Sequence, residues 1–346
     1  MNNLINISFI SNKRFQKAII YGAGIFLFFG LFGSVKALTI SPPRQELAGD
    51  PGSEVRSEFK VVNDSNDDSV FYTEVENFEA GDESGNPRFL RGKEDLAGWV
   101  NVQDTVSLKA GEQKVIPFTI NIPKSAEPGG YFASIFVRTT PPPRSGGGEV
   151  SIGAKLGTLL LLRVNGDIKE GVSILEFSTK DKQRFYDRLP VEFYYRFQNT
   201  GADRVKPEGQ VVVKNLIGLT AKVLNPNISD GSVLPRSIRK FETAWATSGG
   251  GEETATLPLE NQNIEGFFSH VKYQLTHFAF GYYTANLDIH FGENNNTASS
   301  KFGFLIIPWQ LLIVAVSTLL ILFVAFRITL KIYAKRIIKQ HQNSMK

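Results

Sequence analysis

Much of the chain alternates between apolar and polar positions. In EVRSEFKVVN, residues 54–63, Val55, Phe59 and Val61 share one parity, and Glu54, Arg56, Glu58 and Lys60 take the other. Residues 115–122 place Ile116, Phe118, Ile120 and Ile122 together, and residues 191–198 do the same with Val191, Phe193, Tyr195 and Phe197. Successive side chains of a strand point to opposite faces, so this period of two predicts half-buried β-strands. Pro190 precedes the strand at 191, where it breaks no ladder. Between the alternating stretches lie turn clusters: NDSNDD at 63–68, KAGEQ at 109–113 and QNTGAD at 198–203. No long amphipathic helix is predicted between two apolar segments near the chain ends. Short strands at regular spacing predict an all-β chain built from sandwiches.

The pattern repeats. FKVVNDS (59–65) matches YRFQNTG (195–201) as a strand running into a polar turn, and LKAGEQKVIPFTI (108–120) matches VLPRSIRKFETAW (233–245). GGYFASIFV (129–137) matches FGYYTANLDIHF (280–291), and all three pairs keep the same order. A repeat of this kind predicts two tandem domains, at 38–165 and 166–303, meeting near NGD at 165–167.

The apolar segments set the compartment. AIIYGAGIFLFFGL (18–31) follows a basic stretch and precedes SVKA, which reads as a signal peptide over residues 1–37 with cleavage after Ala37. LIIPWQLLIVAVSTLLILFVAF (305–326) is uncharged and long enough to cross a bilayer core of roughly 30 Å. Trp309 near one end suits an interfacial aromatic. The tail 327–346 carries Arg327, Lys331, Lys335, Arg336, Lys339 and Lys346 and no acid. By the positive-inside rule that tail is cytoplasmic and residues 38–304 lie outside a cell membrane crossed once.

Charge follows this division. The 346 residues carry a formal +4, but of the 38 basic residues four lie before position 38 and six after Phe326. The other 28 face all 34 acids, so the exported part is about −6 and has no basic patch for nucleic acid. With no cysteine, disulfides, thiol catalysis and cysteine-based zinc sites are excluded.

One stretch invites a chemical reading: TPPPRSGGGE, residues 140–149, between two predicted strands. In the first strand Ala133, Ile135 and Val137 share one face and Phe132, Ser134 and Phe136 the other. In the second, Val150, Ile152, Ala154 and Leu156 share a face ahead of the apolar run 159–162. A phosphate loop would need a Lys-Ser/Thr and a helix after its glycines, whereas Glu149 and a strand follow here. The stretch is therefore predicted to be an exposed loop. Its Pro141, Pro142, Pro143, Arg144, Gly146, Gly147 and Gly148 are the candidate binding residues, with the strand edges beside it.

The other chemistry is thin. His270, His277, His290 and His341 lack zinc-motif spacing. NDSNDD offers oxygen ligands to calcium but lacks the EF-hand glycine and terminal glutamate, and serves equally as a plain turn. EAGDESGN (79–86) reads the same way. No serine elbow is present and no carboxylate pair stands out, so no enzyme activity, cofactor or metal is expected. Tyr186, Tyr194, Tyr195, Tyr282 and Tyr283 fit strand packing better than sugar stacking.

SPPRQELAGDPGSEVRSEFKVVNDS, LKAGEQKVIPFTINIPKSAEPGGYFASIFV and IGAKLGTLLLLRVNGD resemble the WxL-interacting cell-surface proteins of Gram-positive bacteria. The resemblance covers nearly the whole chain and is carried mostly by the first domain. It implies two Ig-like domains, a first domain that binds peptidoglycan or another cell-wall polymer, and an ectodomain that binds a partner surface protein. An envelope assembly chaperone that captures partner strands, and an envelope sensor, are the alternatives.

Overall fold

The computed structural model describes residues 38–141, 153–246, 266–292 and 295–343. The predicted signal peptide and the glycine-rich stretch near 247–253 lie outside these residues.

Strands β1 (Leu38–Ser41), β3 (Glu54–Asn63), β8 (Gln113–Asn121) and β6 (Val100–Val102) form one sheet, in the order β1-β3-β8-β6. Against it packs a second sheet in the order β2-β10-β9-β4-β5, made of β2 (Arg44–Gly49), β10 (Lys155–Val164), β9 (Gly129–Arg138), β4 (Ser69–Ala80) and β5 (Pro87–Leu90). Strand β7 (Thr105–Leu108) pairs with the far end of β4, and a short helix α1 (Asp95–Trp99) closes one end. Strand β2 runs parallel to β10, so the first strand of the domain switches sheets between β1 and β2.

The second sandwich has the same plan. Strands β11 (Val172–Thr179), β13 (Val191–Asn199) and β16 (Ser237–Trp245) form one sheet, ordered β11-β13-β16. Strands β12 (Phe185–Tyr186), β18 (Asn296–Ile306), β17 (Gly281–Phe291), β14 (Glu208–Asn215) and β15 (Thr220–Leu224) form the other, in the order β12-β18-β17-β14-β15. Strand β12 again runs parallel to its partner β18. The chain thus holds two tandem Ig-like β-sandwiches.

The predicted parities hold inside the cores. Phe59, Val61, Ile116, Phe118, Ile120, Ile135 and Val137 are buried between the first two sheets. Val191, Phe193, Tyr195 and Phe197 are buried between the second pair, beside Trp245, Tyr283 and Phe304. Burying each such side chain contributes roughly 1.5–3 kcal/mol. The repeat also has a chemical core. Asn63 and Asn199, at equivalent strand ends, are both fully buried. Asn63 Nδ2 donates to the carbonyls of Asp67 (2.9 Å) and Lys109 (3.0 Å), and Asn199 Nδ2 to those of Asp203 (2.7 Å) and Val233 (2.9 Å). Each amide oxygen accepts the backbone N–H two residues on, of Ser65 or Gly201. In both sandwiches a buried asparagine ties its own turn to the loop that feeds the next strand.

Two elements depart from expectation. A helix α2 (Phe267–Thr276) precedes β17 where none was predicted. The apolar run expected to start the span at Leu305 begins as strand: Phe304 and Ile306 are buried ends of β18, and helix α3 (Trp309–Asn343) starts after Pro308. A buried strand end and a membrane helix are both apolar, so hydropathy joins them. Within α3, Trp309–Arg336 is long and apolar enough to cross a membrane, with mean hydropathy 2.7.

Candidate functional site

Of the predicted loop, Pro141 is described and exposed; Pro142, Pro143, Arg144, Gly146, Gly147 and Gly148 lie outside the described residues, as do Val150 and Ile152. Its frame is visible. Thr139 N–H donates to the Ala154 carbonyl (3.1 Å), and Ala154 N–H to Thr139 Oγ1 (3.0 Å), so β9 and β10 leave the loop as a paired hairpin.

The two strands differ in their outer neighbours. Strand β9 is enclosed between β4 and β10. Strand β10 pairs with β9 along its whole length but with β2 only over residues 159–164. That ladder starts where Leu159 N–H donates to the Pro43 carbonyl (2.9 Å); Pro42 and Pro43, which lack N–H donors, interrupt the chain between β1 and β2. Backbone groups alternate sides along an antiparallel strand, so Lys155 and Gly157 face the same side as Leu159. Among the described residues no strand pairs with 155–158 there. This short open edge presents N–H and C=O groups that a further strand can take.

The face beside the edge is apolar with an ionic rim. Outward positions Phe132 and Phe136 of β9 meet Phe78 and Phe89, with ring centroids 4.8 Å apart for Phe89 and Phe136 and 5.8 Å for Phe78 and Phe132. Lys155 Nζ lies 3.8 Å above the Phe136 ring and 2.8 Å from Glu76 Oε1, while Arg138 holds Glu74 at 2.9 Å. Leu156 is 41% exposed on the opposite face.

The second feature is the junction between the sandwiches, which sequence reasoning missed. The acidic loop after β4, read as a plain turn, reaches the second domain. Glu83 receives two bonds from Arg196, Nε at 2.8 Å and Nη2 at 2.5 Å, and its carbonyl accepts Lys240 N–H at 2.7 Å. The guanidinium of Arg196 holds the Glu83 carboxyl below the usual carboxylate range. Next to it, Gly85 has a φ of +85°, which glycine adopts without strain, and a Cβ there would press on the Arg239 guanidinium. Across the junction Arg204 Nη2 donates to Glu46 Oε2 (2.9 Å), Arg44 Nη2 to Asp230 Oδ2 (3.3 Å), and Gly130 N–H to the Ala202 carbonyl (2.9 Å). Lys206, 2.5 Å from Asp230, draws that carboxyl down, and its own ammonium is raised in return. A cleft of about 290 Å³ remains here, lined by Glu46, Arg163, Asp203, Arg204, Lys206 and His290 among others. Arg204 and Lys206 are already held by carboxylates around it, so the cleft is a docked seam between domains.

The remaining candidates go to structural roles. In NDSNDD, Asp64 accepts from Thr39 Oγ1 (2.6 Å) and Asp68 from Ala110 N–H (3.0 Å). His290 is exposed, His277 stacks on Tyr273 with centroids 4.2 Å apart, and His270 contacts Arg188. Among the described residues no cluster of three or more His, Cys, Asp or Glu is placed to hold a metal. Tyr194, Tyr195 and Tyr283 are buried and Tyr282 is exposed.

No protein-family model matches the chain, and no characterised sequence matches it. Solved structures similar in part include the class 5 fimbriae chaperone CfaA (13% identity, TM-score 0.36, covering 79% of this chain and 100% of that one). Others are the E. coli chaperone DraB (11%, 0.33, 78% and 98%) and the Pseudomonas aeruginosa chaperone CupB2 (10%, 0.34, 77% and 100%). Scores this low carry no argument about what this chain binds.

Proposed function

We propose that this chain is a membrane-tethered envelope protein that captures an extended segment of a partner surface protein by strand addition to the start of β10. The observation that carries the reading is the open edge at 155–158, where the ladder with β2 stops at Pro43 while β10 continues. Backbone pairing would supply affinity, and the exposed Phe89, backed by the buried Phe78 and Phe136, would select the side chains that alternate onto it. The docked junction holds the first sandwich at a set angle to the second, and α3 fixes the second to the membrane. In this topology residues 38–304 are outside and the basic tail is inside. The edge suits an assembly chaperone or a scaffold; the lifetime of the complex separates the two. The resemblance to WxL-interacting proteins adds a cell-wall polymer as a second ligand of the first domain.

The test is a pair of variants at one position. Lys155→Pro removes the outward N–H at the first residue of β10, a place where proline is tolerated. Lys155→Ala removes the same contacts to Glu76 and Phe136 but keeps the N–H. A photo-crosslinker at Leu156 in cells, followed by mass spectrometry, is expected to join one partner segment stoichiometrically in the parent and in Lys155→Ala, and to lose it in Lys155→Pro. Equal capture by both variants would refute strand addition. Co-sedimentation of the full chain with peptidoglycan, unaffected by either variant, would support the polymer as a second ligand bound away from this edge.

A further inference from the structure

The end of the second sandwich that leads into the membrane helix is ringed by exposed apolar side chains. Asn215 at the end of β14 is level with Tyr283 of β17 and Phe304 of β18. The β14–β15 hairpin tip therefore projects past the last rungs of the sheet, toward Ile306. That tip reads Leu216, Ile217, Gly218, Leu219, with Leu216 78% and Ile217 77% exposed. On the opposite edge Phe185 pairs with Leu305 and is 72% exposed. Helix α2 lies at the same end and is locked to the start of α3. Gln274, buried, donates from Nε2 to Gln310 Oε1 (2.5 Å) and accepts Leu311 N–H at Oε1 (3.0 Å), and Phe267 packs on Trp309 at 6.3 Å between centroids. Its free face carries Phe268, Lys272 and Leu275, spaced four and three residues apart.

Scattered exposed apolar residues need no explanation, but among the described residues outside α3 every large apolar side chain more than 60% exposed (Phe185, Leu216, Ile217, Leu219, Phe268 and Leu275) lies at this one end. Its occupant follows from the chain's own connectivity. This rests on the proposed membrane tether: Ile306 ends β18, and Trp309 begins the helix long and apolar enough to cross a membrane three residues later, a separation of roughly 10 Å at strand rise. The base of the second sandwich is therefore held at the height of the headgroup and acyl boundary. Apolar side chains that would be a liability in water are matched to that layer, and Lys272, Lys214 and Arg184, exposed at the same end, suit anionic headgroups.

We infer that the second sandwich does not stand clear of the membrane on a free stalk but seats its base in the outer leaflet. The hairpin tip and the Phe268–Leu275 face of α2 insert among the lipids beside the span. The partner-binding edge is then presented at a defined height and orientation above the bilayer.

The chain has no cysteine, so single cysteines report cleanly. Full-length protein with Ile217→Cys, Phe268→Cys or Val115→Cys, each labelled with an environment-sensitive nitrobenzoxadiazole fluorophore, is placed one copy per nanodisc of phosphatidylglycerol and phosphatidylcholine. Val115 is exposed on the first sandwich and serves as the reference. Labels at 217 and 268 are expected to shift to the blue, to be quenched by shallow spin-labelled lipid, and to respond severalfold less to aqueous iodide than the label at 115. Iodide responses at 217 and 268 equal to that at 115, with no quenching from lipid, would overturn the inference. One copy per disc excludes a second chain as the cover.

Discussion

Replacing Asn63 by alanine tests whether the repeat rests on its buried amides. Four bonds of normal length depend on this side chain: two donated to the carbonyls of Asp67 and Lys109, and two accepted from Ser65 N–H and Oγ. At about 1 kcal/mol for each bond lost inside the protein, Asn63→Ala should cost about 4 kcal/mol. The equivalent Asn199 makes three, to Asp203, Val233 and Gly201, so Asn199→Ala should cost about 3 kcal/mol. The more telling variant is Asn63→Asp. It keeps the size but turns the donor into a second acceptor opposite two carbonyl oxygens, in a site with no exposure. It should destabilise at least as much as alanine: one carboxylate oxygen keeps its bonds from Ser65, but the other is a buried, charged acceptor held against the Asp67 and Lys109 carbonyls with no donor of its own. Urea unfolding of the full chain in micelles measures the free energy. Hydrogen exchange then locates the loss, in β3 and β8 for Asn63 and in β13 and β16 for Asn199. A cost under about 1 kcal/mol for Asn63→Ala, or a tolerated aspartate, would refute the argument.

Two further outcomes follow from single groups. Tyr195 is 1% exposed, stacks on Phe241 at 5.1 Å, and its hydroxyl has no hydrogen-bond partner among the described residues; burial pushes the phenol well up. Tyr195→Phe should therefore keep or raise stability, by up to about 1 kcal/mol in a urea melt, and a clear loss would mean the hydroxyl has a partner after all. The junction should resist acid longer than ordinary carboxylates do. Glu83 and Asp230 are both lowered by their cationic partners, so their contribution is complete above their ordinary values of 4.5 and 3.8 and fades only as pH falls through the depressed ones. A spectroscopic ruler between cysteines at Val115 and Val223 should read a constant distance down to that range and lengthen below it. Glu83→Gln should weaken the clamp before any acid is added, and a distance change already near neutral pH in the parent would contradict the assignment.

How much was legible depends on whether a feature is local. Parity alone located both cores. It also held a clue that was passed over: Asn63 follows Phe59 and Val61 on the inward parity, and Asn199 follows Tyr195 and Phe197. An asparagine on the buried face of a strand end must find partners inside, so these were never plain turn residues. The switch into β2 was not legible, since RQELAG has only Leu47 as a large apolar residue and gains its place from pairing with β10 over a hundred residues away. Helix α2 was hidden for a similar reason. FFSHVKYQLT is poor in strong helix formers, and the bonds from Gln274 to Gln310 and Leu311 hold it where propensity alone would not. The acidic loop at Glu83 shows the limit most plainly. Its composition is that of any turn, and its function lies in Arg196, 113 positions away, on the polar parity of β13. Alternation says which side of a strand faces water, but here the polar side faces another domain, and period two cannot tell one from the other.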